Sequence, residues 1–110
     1  TNFQGRSDTG SGYPAFRMLR GSTVINAGTT AGTRVGGFLH MNIHNADANT
    51  GMSISTAFLD SPNTTSETTY KIQAKQSGGN IVRVGAGGSD NDNAQYVRSA
   101  SIITVMEVLA

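Results

Sequence analysis

The run Arg98-Ser99-Ala100-Ser101-Ile102-Ile103-Thr104-Val105-Met106-Glu107-Val108-Leu109 carries the densest β-branched and apolar content in the chain, with no Gly or Pro. Such a composition predicts a strand over Ser101–Leu109. Alternate residues of a strand point to opposite faces, so Ile103, Val105, Glu107 and Leu109 share one face and Ile102, Thr104, Met106 and Val108 the other. Both faces are apolar, which predicts a strand covered on both sides. A two-layer domain covers one side; a neighbouring subunit is then expected on the face of Ile103, Val105, Glu107 and Leu109. Glu107, enclosed there, would need an arginine partner, with Arg98, Arg17 and Arg20 as candidates.

Outward from that run, the 110 residues suit one domain, and the composition is unusual: 14% charged, 36% hydrophobic, 14 glycines. Disordered chains combine low hydrophobicity with high charge, whereas apolar runs here alternate with turn formers, so an all-β domain is expected. The modest apolar fraction limits what one chain can bury, which favours assembly. A net charge of +1 with scattered Lys and Arg gives no field for nucleic acid or an anionic membrane. There is no cysteine, hence no disulfide or thiolate chemistry. No apolar run approaches the ~20 residues that cross a bilayer as a helix. The chain opens on Thr1-Asn2-Phe3-Gln4 without Met, as a fragment or the end of a longer protein would.

In order, residues 1–12 read as an extended lead-in or linker, and 13–110 as a β-sandwich head. Asp8-Thr9-Gly10-Ser11 matches the string at the catalytic Asp of aspartic proteases, but Gly5-Arg6-Ser7 precedes it where an apolar strand is needed, so a turn is the simpler reading. Strand regions are expected at Tyr13–Ile25 with a bend or bulge at Gly21, at Phe38–His44, Met52–Leu59, Glu67–Lys75 and Ile81–Val84. Shorter pieces are expected near Val35 and at Gln95–Val97. Ser77-Gly78-Gly79-Asn80 would close a hairpin between the strands on either side. Six to eight strands suit an antiparallel β-sandwich of jelly-roll type.

Chemistry-bearing constellations are sparse. His40 and His44, four apart on one strand, lie roughly 13 Å apart, too far to share a metal ion within one chain; a polar hydrogen-bonding face is the simpler reading. Residues 85–93 are the most polar stretch, and Asp90, Asn91, Asp92 and Asn93 offer oxygen ligands of the kind Ca²⁺ takes. An EF-hand is excluded, because its sixth and twelfth positions would be Gln95 and Ser101. No phosphate loop, nucleophile elbow or Cys/His cluster occurs. The reading is therefore of a non-enzyme with no cofactor and no metal, whose loops present Ser89, Asp90, Asn91, Asp92, Asn93 and Tyr96 to a ligand or receptor.

Phe58-Leu59-Asp60-Ser61-Pro62, Thr69-Tyr70-Lys71-Ile72-Gln73-Ala74, Arg98-Ser99-Ala100-Ser101 and above all Ile103-Thr104-Val105-Met106-Glu107-Val108 resemble the C-terminal region of bacteriophage tail-fibre or fibre-like virion proteins. The resemblance covers about Met52 to Ala110 well and the first half loosely. It departs at Ile81-Val82-Arg83-Val84, where an aromatic residue and an Asn are expected. It implies a homotrimeric fibre-tip domain in the virion, similar to tumour-necrosis-factor and C1q heads, and no catalytic residues. Its implied partners are other virion proteins and a host surface glycan or outer-membrane receptor, with neither nucleic acid nor membrane insertion. The alternative is a capsid decoration, baseplate or tail-attachment module that never meets the host.

Overall fold

The computed structural model describes residues 2–7, 11–40, 43–44, 52–76, 81–86, 92–94 and 98–108, with side chains described for 13–40, 53–76, 81–86, 92–94 and 98–108. Every regular element among them is a strand: β1 (Asn2–Ser7), β2 (Ser11–Gly12), β3 (Ala15–Arg20), β4 (Thr23–Ile25), β5 (Leu39–His40), β6 (Ile43–His44), β7 (Met52–Ser55), β8 (Tyr70–Lys75) and β9 (Val82–Val84). All pairings between them are antiparallel. The fold is all-β.

The strand that organises the described chain is β3. Along its whole length it pairs with β8, from Ala15 opposite Lys75 to Arg20 opposite Tyr70. Its other edge is shared, β5 taking Ala15 and Phe16 and β4 taking Met18, Leu19 and Arg20. Strand alternation puts Phe16, Met18 and Arg20 on one face with Ala74, Ile72 and Tyr70 opposite them. Phe16 is only 1% exposed, and Met18, Leu19 and Ile25 are also buried.

A second sheet runs β7-β1-β9, and β2 pairs with β6 in a third. Ile54 of β7 and Val82 of β9 pack against Phe16, as do Phe38, Leu39 and Ile72, so the second sheet meets the first at this ring. Asn2–Ser7, expected as an extended lead-in, is extended. It is also the middle strand of the second sheet, paired on both sides.

Several local expectations change. Gly21 does not bend a continuous strand; Gly21-Ser22 is the two-residue turn of a β3–β4 hairpin, with Gly21 at φ 58° in its first central position. Glycine reaches that conformation without a Cβ clash, and such turns match the twist of the flanking strands. The expected hairpin across residues 77–80 is not made: β8 pairs with β3 and β9 with β1, in separate sheets. β8 runs along β3 over six paired positions, including Met18 opposite Ile72, while β9 lies against β1 in the other sheet. Near Val35 there is only an isolated bridge between Ala31 and Arg34. Phe38–His44 is divided between β5 and β6, and strand structure ends at Ser55 in one region and begins only at Tyr70 in the next. Gln95–Val97 and the turn residues 77–80 lie outside the described residues.

The largest correction concerns the C-terminal run. Within 101–108 only Ile102 makes a β-bridge, and all eight residues are exposed. Val105 is 62% exposed, Met106 81% and Val108 79%. β-propensity describes how well a side chain fits a half-buried pleated surface, so an apolar run becomes a strand only where an edge accepts it. Within one chain the described part of the run is not a strand, and Glu107 is not buried.

Candidate functional site

Two side-chain arrangements distinguish the β3 sheet. On the face of Arg20 and Tyr70, Asp60 reaches in from the connection between β7 and β8. Arg20 Nη1 donates to Asp60 Oδ1 at 2.9 Å and to Oδ2 at 3.0 Å. The Tyr70 hydroxyl donates to the same Oδ2 at 2.9 Å. Arg20 and Tyr70 are opposite one another in the β3–β8 register, which is why one carboxylate can take both. The hydrogen bond to Asp60 raises the Tyr70 phenol above its ordinary pKa of 10.0; desolvation and the Asp60 charge add to this, and Arg20 opposes it. The cluster is charge-balanced, which suits a clamp on the connection rather than a site for a ligand.

The second arrangement is a groove of about 830 Å³ beside the start of β3. Its lining includes Tyr13, Arg17, Arg34, His40, Gln73 and Lys75. Tyr13 and His40 lie with ring centroids 6.1 Å apart and planes 7° from parallel, an offset stack. Arg17 and Gln73 are cross-strand partners, and Arg17 Nε donates to Gln73 Oε1 at 2.8 Å. Arg34 sits at the end of a small turn in which Ala31 and Arg34 exchange backbone hydrogen bonds of 3.2 and 3.1 Å, and its Nε donates to the Ala31 carbonyl at 3.1 Å.

The wall carrying Arg34 is held against the sheet by backbone. Phe38 N–H donates to the Phe16 carbonyl at 3.0 Å, and Gly28 N–H to the Gly37 carbonyl at 3.2 Å. Gly37 lies so close that a Cβ there would stand 2.6 Å from the Phe16 carbonyl oxygen. Residues 33–37, in the glycine-rich connection between β4 and β5, thus form one side of the groove.

The residues expected to bind a receptor are only partly placed. Asp92 and Asn93 are exposed, while Ser89, Asp90, Asn91 and Tyr96 lie outside the described residues, as does Asp8. Of the expected interface residues, Ile103, Val105 and Glu107 are exposed and Leu109 lies outside. Two arginines proposed for Glu107 have other partners: Arg20 holds Asp60 and Arg17 holds Gln73. His40 stacks on Tyr13, and no group of three metal-ligating side chains occurs among the described residues. Among them too, no helix is long and apolar enough to cross a membrane.

Neither arrangement was singled out from the sequence. Their members are separated by tens of residues, so only the β3–β8 register could have joined them. No protein-family model, curated protein or solved structure matches the chain.

Proposed function

We propose that this chain is a non-enzymatic structural domain of a bacteriophage virion, a tail-fibre tip that assembles as a homotrimer of jelly-roll heads and contacts the host surface. The observation that carries the assembly is the C-terminal run, in which Ile102, Ile103, Val105, Met106 and Val108 stand 46 to 81% exposed in a single chain. Apolar side chains gathered in one segment are favourably covered at about 25 cal/mol per Å², and a contiguous exposed apolar patch marks an interaction surface.

The virion assignment rests on the resemblance of the Ile103–Val108 run and its neighbours to phage fibre proteins. The receptor-binding assignment rests on the hydroxyl- and amide-rich stretch 89–96, where three linked weak sites would gain avidity without new contacts.

The mass of the native complex tests the assembly: a trimer is expected, and a stable monomer at micromolar concentration overturns it. Adsorption of the purified assembly to bacterial cells tests the contact with the host. Replacing Asp90 to Asn93 by Gly and Ser should abolish it, and unchanged adsorption removes that loop from the account.

A further inference from the structure

We infer that the groove between β3, β8 and the 31–38 wall is a binding site for an acidic sugar, a ring with an apolar face and a carboxylate. The inference rests on the groove's own chemistry and does not depend on the virion reading.

Charge sets the first requirement. Arg17, Arg34 and Lys75 line the groove, and no Asp or Glu does so among the described residues. On the opposite face Arg20 is neutralised by Asp60, whereas among the described residues Arg17, Arg34 and Lys75 form no ion pair. Both groove arginines are held through Nε, Arg17 to Gln73 and Arg34 to the Ala31 carbonyl. Neither arginine bonds another described residue through its terminal nitrogens, and that end of the fork is the one that meets a carboxylate in paired hydrogen bonds. A guanidinium fixed beforehand loses less side-chain freedom when a ligand arrives.

Shape and lining set the second. Tyr13 is 47% exposed and stacked on His40, so the pair presents a rigid aromatic surface at the groove mouth. Such a surface suits the C–H face of a pyranose, while Gln73 and Thr33 supply groups that hydrogen-bond hydroxyls. A volume of about 830 Å³ falls in the range of small-molecule sites. A nucleic acid would also find aromatics and arginines here. It needs a positive track along several phosphates, however, and the chain's net charge is only +1.

Calorimetric titration of the full chain with tetragalacturonate, maltotetraose and oligothymidylate tests the inference. Tetragalacturonate should bind at least about tenfold more tightly than neutral maltotetraose, and Arg34→Ala and Tyr13→Ala should each weaken it about tenfold, which is 1.4 kcal/mol. Both residues are exposed, so an unchanged thermal midpoint should accompany each loss. Equal affinity for the neutral sugar, undetectable uronate binding at millimolar concentration, tighter oligothymidylate binding, or uronate binding indifferent to both substitutions overturns the assignment. None of these results bears on the oligomeric state, so this site and the assembly fail separately.

Discussion

Arg20 and Asp60, forty residues apart in sequence, are joined by two hydrogen bonds from a single guanidinium nitrogen, at 2.9 and 3.0 Å. The pair ties the strandless connection 56–69 to the end of β3. Gly21 N–H adds a second tie, donating to the Thr69 carbonyl at 2.8 Å just before β8 begins. Connections of this length without internal strands or helices are uncommon, and such anchors are what give them a fixed path. The Arg20 and Asp60 side chains are 29% and 16% exposed, so water weakens the pair only in part.

Asp60→Ala removes the acceptor of both Arg20 and Tyr70 and should lower unfolding free energy by about 1–2 kcal/mol, read from the urea midpoint. Asp60→Asn keeps an oxygen for the Tyr70 hydroxyl and should cost less. If alanine and asparagine are both neutral, Asp60 does not anchor the connection.

Tyr70 reports on the same cluster through pH. Its folded pKa is raised, chiefly because its hydroxyl donates to Asp60 and ionisation breaks that bond. The folded state therefore holds this proton more tightly than the unfolded chain. The associated stability is fully present below the ordinary tyrosine value of 10.0 and is lost as pH rises through the folded value. Ultraviolet titration should show one tyrosine ionising later than an unfolded reference, and Asp60→Asn should move it back. A wild-type profile with every tyrosine at or below the ordinary value contradicts the hydrogen bond.

Two glycine substitutions separate backbone strain from crowding. Gly21 has open space where a Cβ would go but holds φ 58°, so Gly21→Ala should cost about 1 kcal/mol through conformation alone. Gly37→Ala would put a Cβ 2.6 Å from the Phe16 carbonyl oxygen, a backbone atom that cannot rotate away. It should cost more, about 1–3 kcal/mol, with the groove wall displaced. Equal urea midpoints for the two variants would show that the wall yields freely.

Much of the strand content is legible because it depends on local pattern. Phe16, Met18 and the hydrophobics of 70–74 announce strands by alternation and composition. Partner choice is not local, and it is there that expectation and structure part. Nothing near Tyr70–Lys75 says that its edge prefers β3, fifty or more residues upstream, to the neighbouring Val82–Val84. The same gap explains the clamp and the groove, whose members meet only once that register is fixed. The C-terminal run shows the converse case, in which strong β-propensity finds no full strand pairing within its own chain.

That run gives the most direct test of assembly. Ile103 and Val105 are 46% and 62% exposed, so placing a charge there disturbs no packed core in the single chain. Ile103→Asp with Val105→Asp should therefore leave the far-ultraviolet circular dichroism of the β-sheets intact while converting the oligomer to monomers in sedimentation. Stability should respond in the same direction, because a wild-type assembly gains unfolding free energy with concentration and the double variant does not. The thermal midpoint of the wild type should rise with protein concentration and that of the variant should stay flat. A variant that keeps its oligomeric mass would place the subunit contact elsewhere, with Phe58 and Leu59, 47% and 82% exposed beside the Asp60 anchor, as the next apolar surface to charge.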